Sequence, residues 1–365
     1  METPHLEASK VQNPRSAGDS AQLLLEWYRR QKRDLPWRRS RDPYAIWISE
    51  IMLQQTQVVK VVPYFENFLE RFPTVEDLAA APIDEVLALW SGLGYYRRAR
   101  LLHRAACELA SEGRSLPRTA EELQKLPGIG AYTSAAIASI AFGEVVPVLD
   151  GNVERVAARR LALPEDPKKS AVKKKLLREV SGLVDANHPG DSNQALMELG
   201  ATVCRPQSPT CLLCPIEEDC LGKGNPEAYP PPRKRRAKQS VIFHIALVRR
   251  EEGILLVRRS QAAELFAGMW ELPTLETSGK PLGQREAAQL YGKAYGGRWT
   301  IEASVGSASH GITHRSITAH VHPAAVEAGD RISEGPEAAW VQLEDLGGYA
   351  VSSLVTKALR VAGLA

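Results

Sequence analysis

The sequence predicts a mainly α N-terminal domain followed by a smaller α+β domain, and three features carry that expectation. From residue 20 to about 222, segments with apolar residues at helical spacing follow one another without a convincing run of alternating strands. The stretch Lys223–Lys238 (KGNPEAYPPPRKRRAK) is Pro-rich and basic, which breaks both helical and strand periodicity and marks a linker. After it, residues 239–365 change texture to β-branched, alternating runs. Residues 1–19 are polar and are expected to form a disordered tail.

In chain order the helical segments are AQLLLEWYRR, PYAIWISEIMLQ, VVPYFENFLERF, IDEVLALW, RARLLHRAACELA, TAEELQKL, TSAAIASIAF, NVERVAARRLA, SAVKKKLLREVSGLV and SNQALMELGATV. Each places apolar side chains three and four residues apart, and short Pro/Gly-punctuated loops separate them. In the second domain SVIFHIALVRR, GILLVRRS, RWTIEASV and SITAHVHP have the alternating character of strands, while REAAQLYGKAYG and SSLVTKALRVAGL return to the helical period.

With 365 residues, 44% hydrophobic and 24% charged, the chain has a globular composition and the length for two cores, which excludes disorder along its whole length. No run of about 18 apolar residues occurs, and the start has neither an apolar signal core nor an Arg-rich amphipathic pattern. A soluble, cytoplasmic protein with no membrane partner is expected. The net charge of +3 is unevenly spread. Residues 239–365 hold 12 basic and 13 acidic side chains, Arg233, Lys234, Arg235, Arg236 and Lys238 concentrate five positive charges, and residues 1–232 are left at −1. Global charge therefore identifies no nucleic-acid surface, and any attraction to DNA must be local.

Cys107 stands alone in a helical segment, where it reads as a buried, inert thiol. Cys204, Cys211, Cys214 and Cys220 are separated by six, two and five residues. With no secretion signal to indicate an oxidising compartment, metal or cluster ligation is preferred to a disulfide framework. Four-thiolate zinc usually uses two close pairs, whereas a single iron-sulfur cluster spans uneven gaps, and the spacing alone leaves both open.

Three further segments carry candidate chemistry. LPGIGAYTSAAIASIAFG (Leu126–Gly143) is a Gly-punctuated hairpin before a helix. Gly128 and Gly130 let the backbone approach a partner, and the amides and dipole at the helix start suit a phosphate. On its own the turn serves helix packing equally well. In VLDGNVERVAARR, Asp150 sits at a helix N-cap, which as such stabilises a helix by about 1 kcal/mol and implies no function. Its place about 20 residues after the hairpin, followed by Gly151 and Asn152, raises it above that: a carboxylate there stabilises positive charge developing beside a DNA backbone. In DPYAIWISEIMLQQTQV, Glu50 lies amid Ile48, Ile51, Met52 and Leu53, one turn before Gln54. A Glu in solvent is the ordinary case, but burial in these surroundings raises a carboxyl pKa toward the range of a general acid. Two carboxylates in contrasting settings suit cleavage of a glycosidic bond, one as acid and one as stabiliser of an oxocarbenium-like centre, and an N-glycosidic bond fits equally well.

Together LPGIG-x-x-T, LDGNV-x-R-V and C-x6-C-x2-C-x5-C resemble the helix-hairpin-helix DNA glycosylases of the endonuclease III type, from about Leu35 to Cys220. The resemblance implies that the four cysteines bind a four-iron four-sulfur cluster, that the hairpin and Asp150 line a base-excision pocket, and that the hairpin can hold a monovalent cation. Within that superfamily LPWR (Leu35–Arg38), WISEIMLQQTQV (Trp47–Val58), GLGYYRRAR (Gly92–Arg100) and the added C-terminal domain resemble the adenine glycosylase branch, the MutY family. By that resemblance Glu50 protonates the departing adenine and Asp150 stabilises or captures the sugar cation. Arg33, Leu35, Trp37 and Arg38 surround the adenine pocket, and Gln55 and Tyr95 wedge into the duplex beside the oxidised guanine, with Thr56 also on the DNA. Bifunctional relatives carry a Lys at the position of Tyr132, because an imine to the sugar needs an amine. A phenol forms none, so a monofunctional glycosylase is expected.

The C-terminal domain resembles the MutT-like recognition domain of that branch, related to Nudix hydrolases. A Nudix site needs a carboxylate-rich helix for divalent metal. Here Gln289 and Leu290 stand in the places of two of the acids, so lesion reading rather than hydrolysis is expected. The family's Phe-Ser-His loop is matched by Ile312-Thr313-His314, which keeps hydroxyl and imidazole, makes Thr313 and His314 the candidate contacts to 8-oxoguanine, and loses the aromatic ring. The implied substrate is double-stranded DNA with adenine opposite 8-oxoguanine, or more weakly guanine, the adenine being flipped out at a cost of a few kcal/mol. A monomer is expected, with a sliding clamp or downstream repair enzymes as partners and the Arg233–Lys238 run along the path of the duplex. Two alternatives compete: a glycosylase of this fold acting on another base, against which Trp37, Arg38, Glu50 and Gln55 argue, and a non-catalytic DNA-binding protein, whose signature would be loss of Glu50 or Asp150.

Overall fold

Each helical segment expected from the periodicity is a helix in the computed structural model, which describes residues 17–232, 238–263, 265–277, 280–312, 315–327 and 338–365. Most of the N-terminal tail, the basic run at 233–237 and both Thr313 and His314 lie outside the described residues. The helical region runs α1 (Ala17–Gln31), α2 (Pro43–Leu53), α3 (Val58–Arg71), α4 (Val75–Ala80), α5 (Ile83–Leu89), α6 (Arg97–Ser111), α7 (Ala120–Leu123), α8 (Ala131–Phe142), α9 (Gly151–Arg160), α10 (Ser170–Gly182) and α11 (Pro189–Thr202). Helix α4 was not expected: VEDLAA is too short to display a full period, and its start is set by Thr74, whose hydroxyl accepts from the Asp77 amide at 3.1 Å.

Caps and packing explain the elements that matter for function. Asp42 starts α2 by accepting from the amides of Tyr44 and Ala45 at 3.2 Å each. Every residue from Tyr44 to Met52 is buried, so α2 is a core helix without a solvent face, and Glu50 is carried inside with it. One apolar cluster joins Leu24 and Tyr28 of α1, Val153 and Val156 of α9, Leu176 and Val180 of α10, and Leu196 and Leu199 of α11. Helix α11 meets its neighbours through glycines. A Cβ at Gly190 would stand 2.7 Å from Ile140 Cα, and one at Gly200 would stand 2.7 Å from Asn152 Cβ and 3.0 Å from the Asn152 carbonyl oxygen.

The C-terminal part contains β1 (Gln239–Arg250), β2 (Gly253–Arg258), β3 (Trp270–Glu271), β4 (Thr274–Thr277), α12 (Gln284–Tyr295), β5 (Trp299–Ile301), β6 (Gly306–Ile312), β7 (Arg315–Val326), β8 (Ala338–Val341) and α13 (Ser353–Val361). Strand β1 runs parallel to β7 from Gln239↔Arg315 to Val248↔Ala324, while β2, β4, β5, β6 and β8 join by antiparallel pairing. Period-two alternation on β1 sends Val241, Phe243, Ile245 and Leu247 into a core with α13, and Ala246 and Val248 into a second core with α12. Strand β6 has little β propensity of its own in GSASHGI; pairing with β7 makes it a strand.

By its contacts the chain divides into two compact units, residues 1–54 with 114–233 and residues 55–113 with 234–365. Helices α3 to α6 thus group with the C-terminal sheet. Within that unit Ser91 Oγ donates to the Val351 carbonyl (2.7 Å), Arg100 donates to the Ala267 carbonyl (2.8 Å), and Arg258 pairs with Asp84 (2.6 Å). Among the described residues no helix is long and apolar enough to cross a membrane.

The glycine seat of α11 is testable. Gly200→Ala gains up to about 1 kcal/mol in helix propensity but forces a methyl against backbone atoms of Asn152, a form of overpacking that costs about 1–3 kcal/mol. Urea denaturation should show net destabilisation, whereas Gly224→Ala, where an added Cβ meets nothing within 4 Å, should be neutral or slightly stabilising. Equal stability of the Gly200→Ala protein and its parent would show that α11 is not seated on Asn152.

Candidate active site

The buried helix α2 and the starts of α8 and α9 bring together the three residues that sequence reasoning singled out for catalysis. Glu50 is 4% exposed. Tyr132, in the first turn of α8, donates its phenol proton to Glu50 Oε2 at 2.5 Å and lies 3.6 Å from Met197 Sδ on α11. Burial pushes the Glu50 carboxyl up to about 7; the Tyr132 hydrogen bond and the Arg38 charge pull against this, and the Asp150 charge adds to it. Burial, together with the two carboxylates, holds the Tyr132 phenol well above its ordinary value, so it remains a neutral donor.

Asp150 is the N-cap of α9 and a nearly saturated acceptor. Its Oδ1 accepts from the Asn152 amide at 3.0 Å and the Val153 amide at 2.7 Å, and its Oδ2 accepts from Asn152 Nδ2 at 3.0 Å. Burial raises its pKa, while these three donors and Arg155 favour the ionised form. The two carboxylates therefore differ in kind. Glu50 has one neutral donor in an apolar setting, and Asp150 sits on a helix N-terminus with three donors.

The adenine-pocket candidates are organised by a residue that sequence reasoning missed. Glu198 on α11, 1% exposed, accepts from Arg33 Nε (2.7 Å), Arg33 Nη2 (2.8 Å) and Arg38 Nη2 (2.9 Å). Burial opposes its charge, but the bonds from Arg33 and Arg38 outweigh burial and hold its carboxyl down at about 2. Arg38 also donates to the Arg33 carbonyl at 3.2 Å, so both arginines and the turn between them, with Leu35 and Trp37 buried in it, are fixed together. The available signal was a Glu inside QALMELG, the same apolar context that marked Glu50.

The hairpin has the expected form. Gly128 is left-handed (φ +81°), and Gly130 is the N-cap of α8 with nothing within 4 Å of a would-be Cβ. Cys204, Cys211, Cys214 and Cys220 line one small cavity together with Arg159. Burial pushes the Cys214 thiol up to about 12, with the other three cysteines adding to it. Arg159 is 2% exposed; it donates to Cys204 Sγ (3.3 Å) and to the carbonyls of Arg205 (2.7 Å), Pro206 (3.0 Å) and Tyr229 (3.0 Å). A buried cation on a cysteine sulfur and three carbonyls is balanced when the sulfurs carry negative charge, so the donor set fits a thiolate-bound inorganic group. Among the described residues no three His, Cys, Asp or Glu form a site for a single metal ion.

Sequence reasoning also missed Arg155. Its Nε donates to the Cys204 carbonyl (2.8 Å), and its Nη2 to the Gly200 carbonyl (2.7 Å) and to Asn152 Oδ1 (3.0 Å). Because Asn152 holds Asp150, two side chains connect the cysteine loop to the Asp150 carboxylate.

Gln55, Thr56 and Tyr95 belong to the other unit. Gln55 and Tyr95 are exposed and both have left-handed backbone, φ +57° and +50°, a conformation that non-glycine residues keep only where their surroundings impose it. In the C-terminal part Ile312 ends β6 and Arg315 begins β7, while Thr313 and His314 between them lie outside the described residues. Helix α12 carries a single acid, Glu286, and exposes Gln289 and Leu290.

Comparison with known proteins places the chain in a family. The model of the HhH-GPD superfamily base excision DNA repair proteins matches residues 48–181, and that of the NUDIX domain matches residues 244–361. The chain is similar to the adenine DNA glycosylase of Homo sapiens, 37% identical over 400 residues that cover 93% of this chain and 73% of that protein. It is 38% identical to the adenine DNA glycosylase of Rattus norvegicus over 396 residues, covering 93% and 77%. Among solved structures it is similar to a thermostable thymine-DNA glycosylase, with TM-score 0.52 and 28% identity over 57% of this chain and 96% of that one.

The state of Glu50 leaves a mark on stability. A carboxyl held protonated by the fold carries no penalty below its ordinary value of 4.5; as pH rises from there through about 7, the unfolded chain ionises first and the fold loses stability relative to it. At about 1.4 kcal/mol per pH unit, the loss reaches about 3 kcal/mol. Glu50→Gln still accepts from Tyr132 and cannot ionise. It should be about 1–3 kcal/mol more stable than the parent at pH 8, with the advantage gone near pH 4.5, as read from urea midpoints. A pH-independent difference would show that Glu50 titrates normally.

Proposed function

The chain belongs to the adenine DNA glycosylases, and we propose that it removes adenine from double-stranded DNA where adenine faces 8-oxoguanine, and more weakly where it faces guanine. It is an adenine-specific DNA N-glycosylase. The observation that carries the chemical reading is the contrast between Glu50, buried with a pKa near 7, and Asp150, held by three donors. Tyr132 donates to Glu50 Oε2, which leaves Oε1 to carry the carboxylic proton that would be passed to the departing base. Passing that proton to adenine weakens the N-glycosidic bond. The negative charge of Asp150, with the one acceptor site its three donors leave, would stabilise or capture the cation that develops on the sugar before water completes the hydrolysis.

Tyr132 restricts the outcome. It offers no amine for an imine to the sugar, so the product is an abasic site and the strand stays intact. Arg33 and Arg38, fixed on Glu198, shape the wall of the base pocket with Leu35 and Trp37. Extrusion of the adenine costs a few kcal/mol, offset by hairpin amides on phosphate and by Gln55 and Tyr95 filling the stack. The hydroxyl of Thr313 and the imidazole of His314 supply the contacts to the opposite lesion. The four-cysteine loop fits a four-iron four-sulfur cluster, which when bound would fix the loop and its basic neighbours, Arg205 among them, toward DNA.

Two measurements test this reading. Duplexes with adenine opposite 8-oxoguanine, adenine opposite guanine, and thymine in a mismatch should give alkali-labile strands in that falling order, the last none, with no scission before alkali. Excision of thymine alone, or scission without alkali, would refute the substrate or the monofunctional assignment. Purified protein should be yellow-brown and contain iron and labile sulfide; colourless protein with stoichiometric zinc would replace the cluster.

A further inference from the structure

Gln55 and Tyr95 lie 40 residues apart in the chain, and both turns that carry them are left-handed. In the second turn Gly92 (φ +97°) and Gly94 (φ +78°) precede Tyr95 (φ +50°). Both side chains are exposed, Tyr95 by 44%, so their own packing does not impose this conformation. Arg98, in the first turn of α6, touches both turns. Its Nη2 donates to the Gly94 carbonyl (3.0 Å), beside Tyr95, and to Thr56 Oγ1 (3.1 Å), beside Gln55. Its guanidinium carbon stands 5.6 Å from the centre of the Tyr95 ring and 5.4 Å from that of Trp90, so the group lies over two aromatic rings.

We propose that Arg98 is a positioning residue that locks Gln55 and Tyr95 into one wedge, so that the two side chains enter the duplex as a unit. The proposal rests on the reading that both residues intercalate. A planar guanidinium that stacks and bonds at once suits this task; a lysine ammonium is a single point that cannot reproduce the fork.

A mutant cycle tests it. Arg98→Ala should slow single-turnover excision of adenine opposite 8-oxoguanine tenfold or more. In a Gln55→Ala/Tyr95→Ala background the same change should cost less than twofold, because the residues through which Arg98 acts are gone. Thr56→Val removes the Arg98 tether to the first turn, so its smaller loss should vanish with Gln55→Ala and persist with Tyr95→Ala. Arg98→Lys, which keeps a half-buried cation, repeats the comparison should the alanine protein fail to fold. Equal losses in both backgrounds would overturn the proposal. The fluorescence rise of 2-aminopurine at the adenine position reports extrusion without excision and should follow the same pattern. A parent protein inert on both mispairs but showing that pattern would count against the glycosylase reading and leave the wedge intact.

Discussion

A carboxyl enclosed in an apolar helix must give up its charge or find donors, and Glu50 does some of each. Helix α2 is buried from Tyr44 to Met52, so no solvent face can accept the charge. Tyr132 supplies one neutral donor, which orients the group without the full compensation that a cation would bring. Arg38, whose charge acts on Glu50, is already committed to Glu198 at 2.9 Å. This division of partners keeps Glu50 near neutrality: two arginines compensate one buried carboxyl completely and leave the other half-compensated. A change that released Arg38 toward Glu50 would favour its ionised form and remove the acid.

Asp150 shows the opposite solution in the same core. Its donors come from its own helix start and from Asn152, and Asn152 is braced by Arg155 against the carbonyls of Gly200 and Cys204. The cysteine loop thereby has a structural consequence for the carboxylate, through side-chain and backbone hydrogen bonds. The same loop receives Arg159 of α9, a buried cation that donates to Cys204 Sγ. A net charge of only +3 gives no general basic surface, so under the proposed function DNA would be met by local features such as the hairpin amides.

What the sequence made legible was whatever local pattern controls. The long helices announced themselves by apolar spacing, Asp150 by its capping position, and Glu50 by a charge inside an apolar run. Glu198 was equally buried but passed unnoticed, because its significance depends on Arg33 and Arg38, more than 150 residues away in the chain. Arg155 and Arg98 stand inside the segments LDGNV-x-R-V and GLGYYRRAR without a role legible there, because their partners are carbonyls and a hydroxyl that only the fold assembles. Strand β6 is specified by β7, and the grouping of α3 to α6 with the C-terminal sheet follows from contacts such as Ser91 to Val351 that no periodicity encodes.

The protonation of Glu50 in the free enzyme is the most direct point of test. Infrared difference spectra collected across pH would show the carbonyl stretch of a protonated carboxyl, and subtraction of the Glu50→Gln spectra isolates Glu50 from Glu271, a second buried acid raised to about 7. A Glu50 band present at pH 6 and lost with a midpoint near 7 is the expected result. A midpoint near 4.5, the ordinary value for a glutamate, would mean that Glu50 is ionised at neutral pH and cannot be the acid that releases adenine.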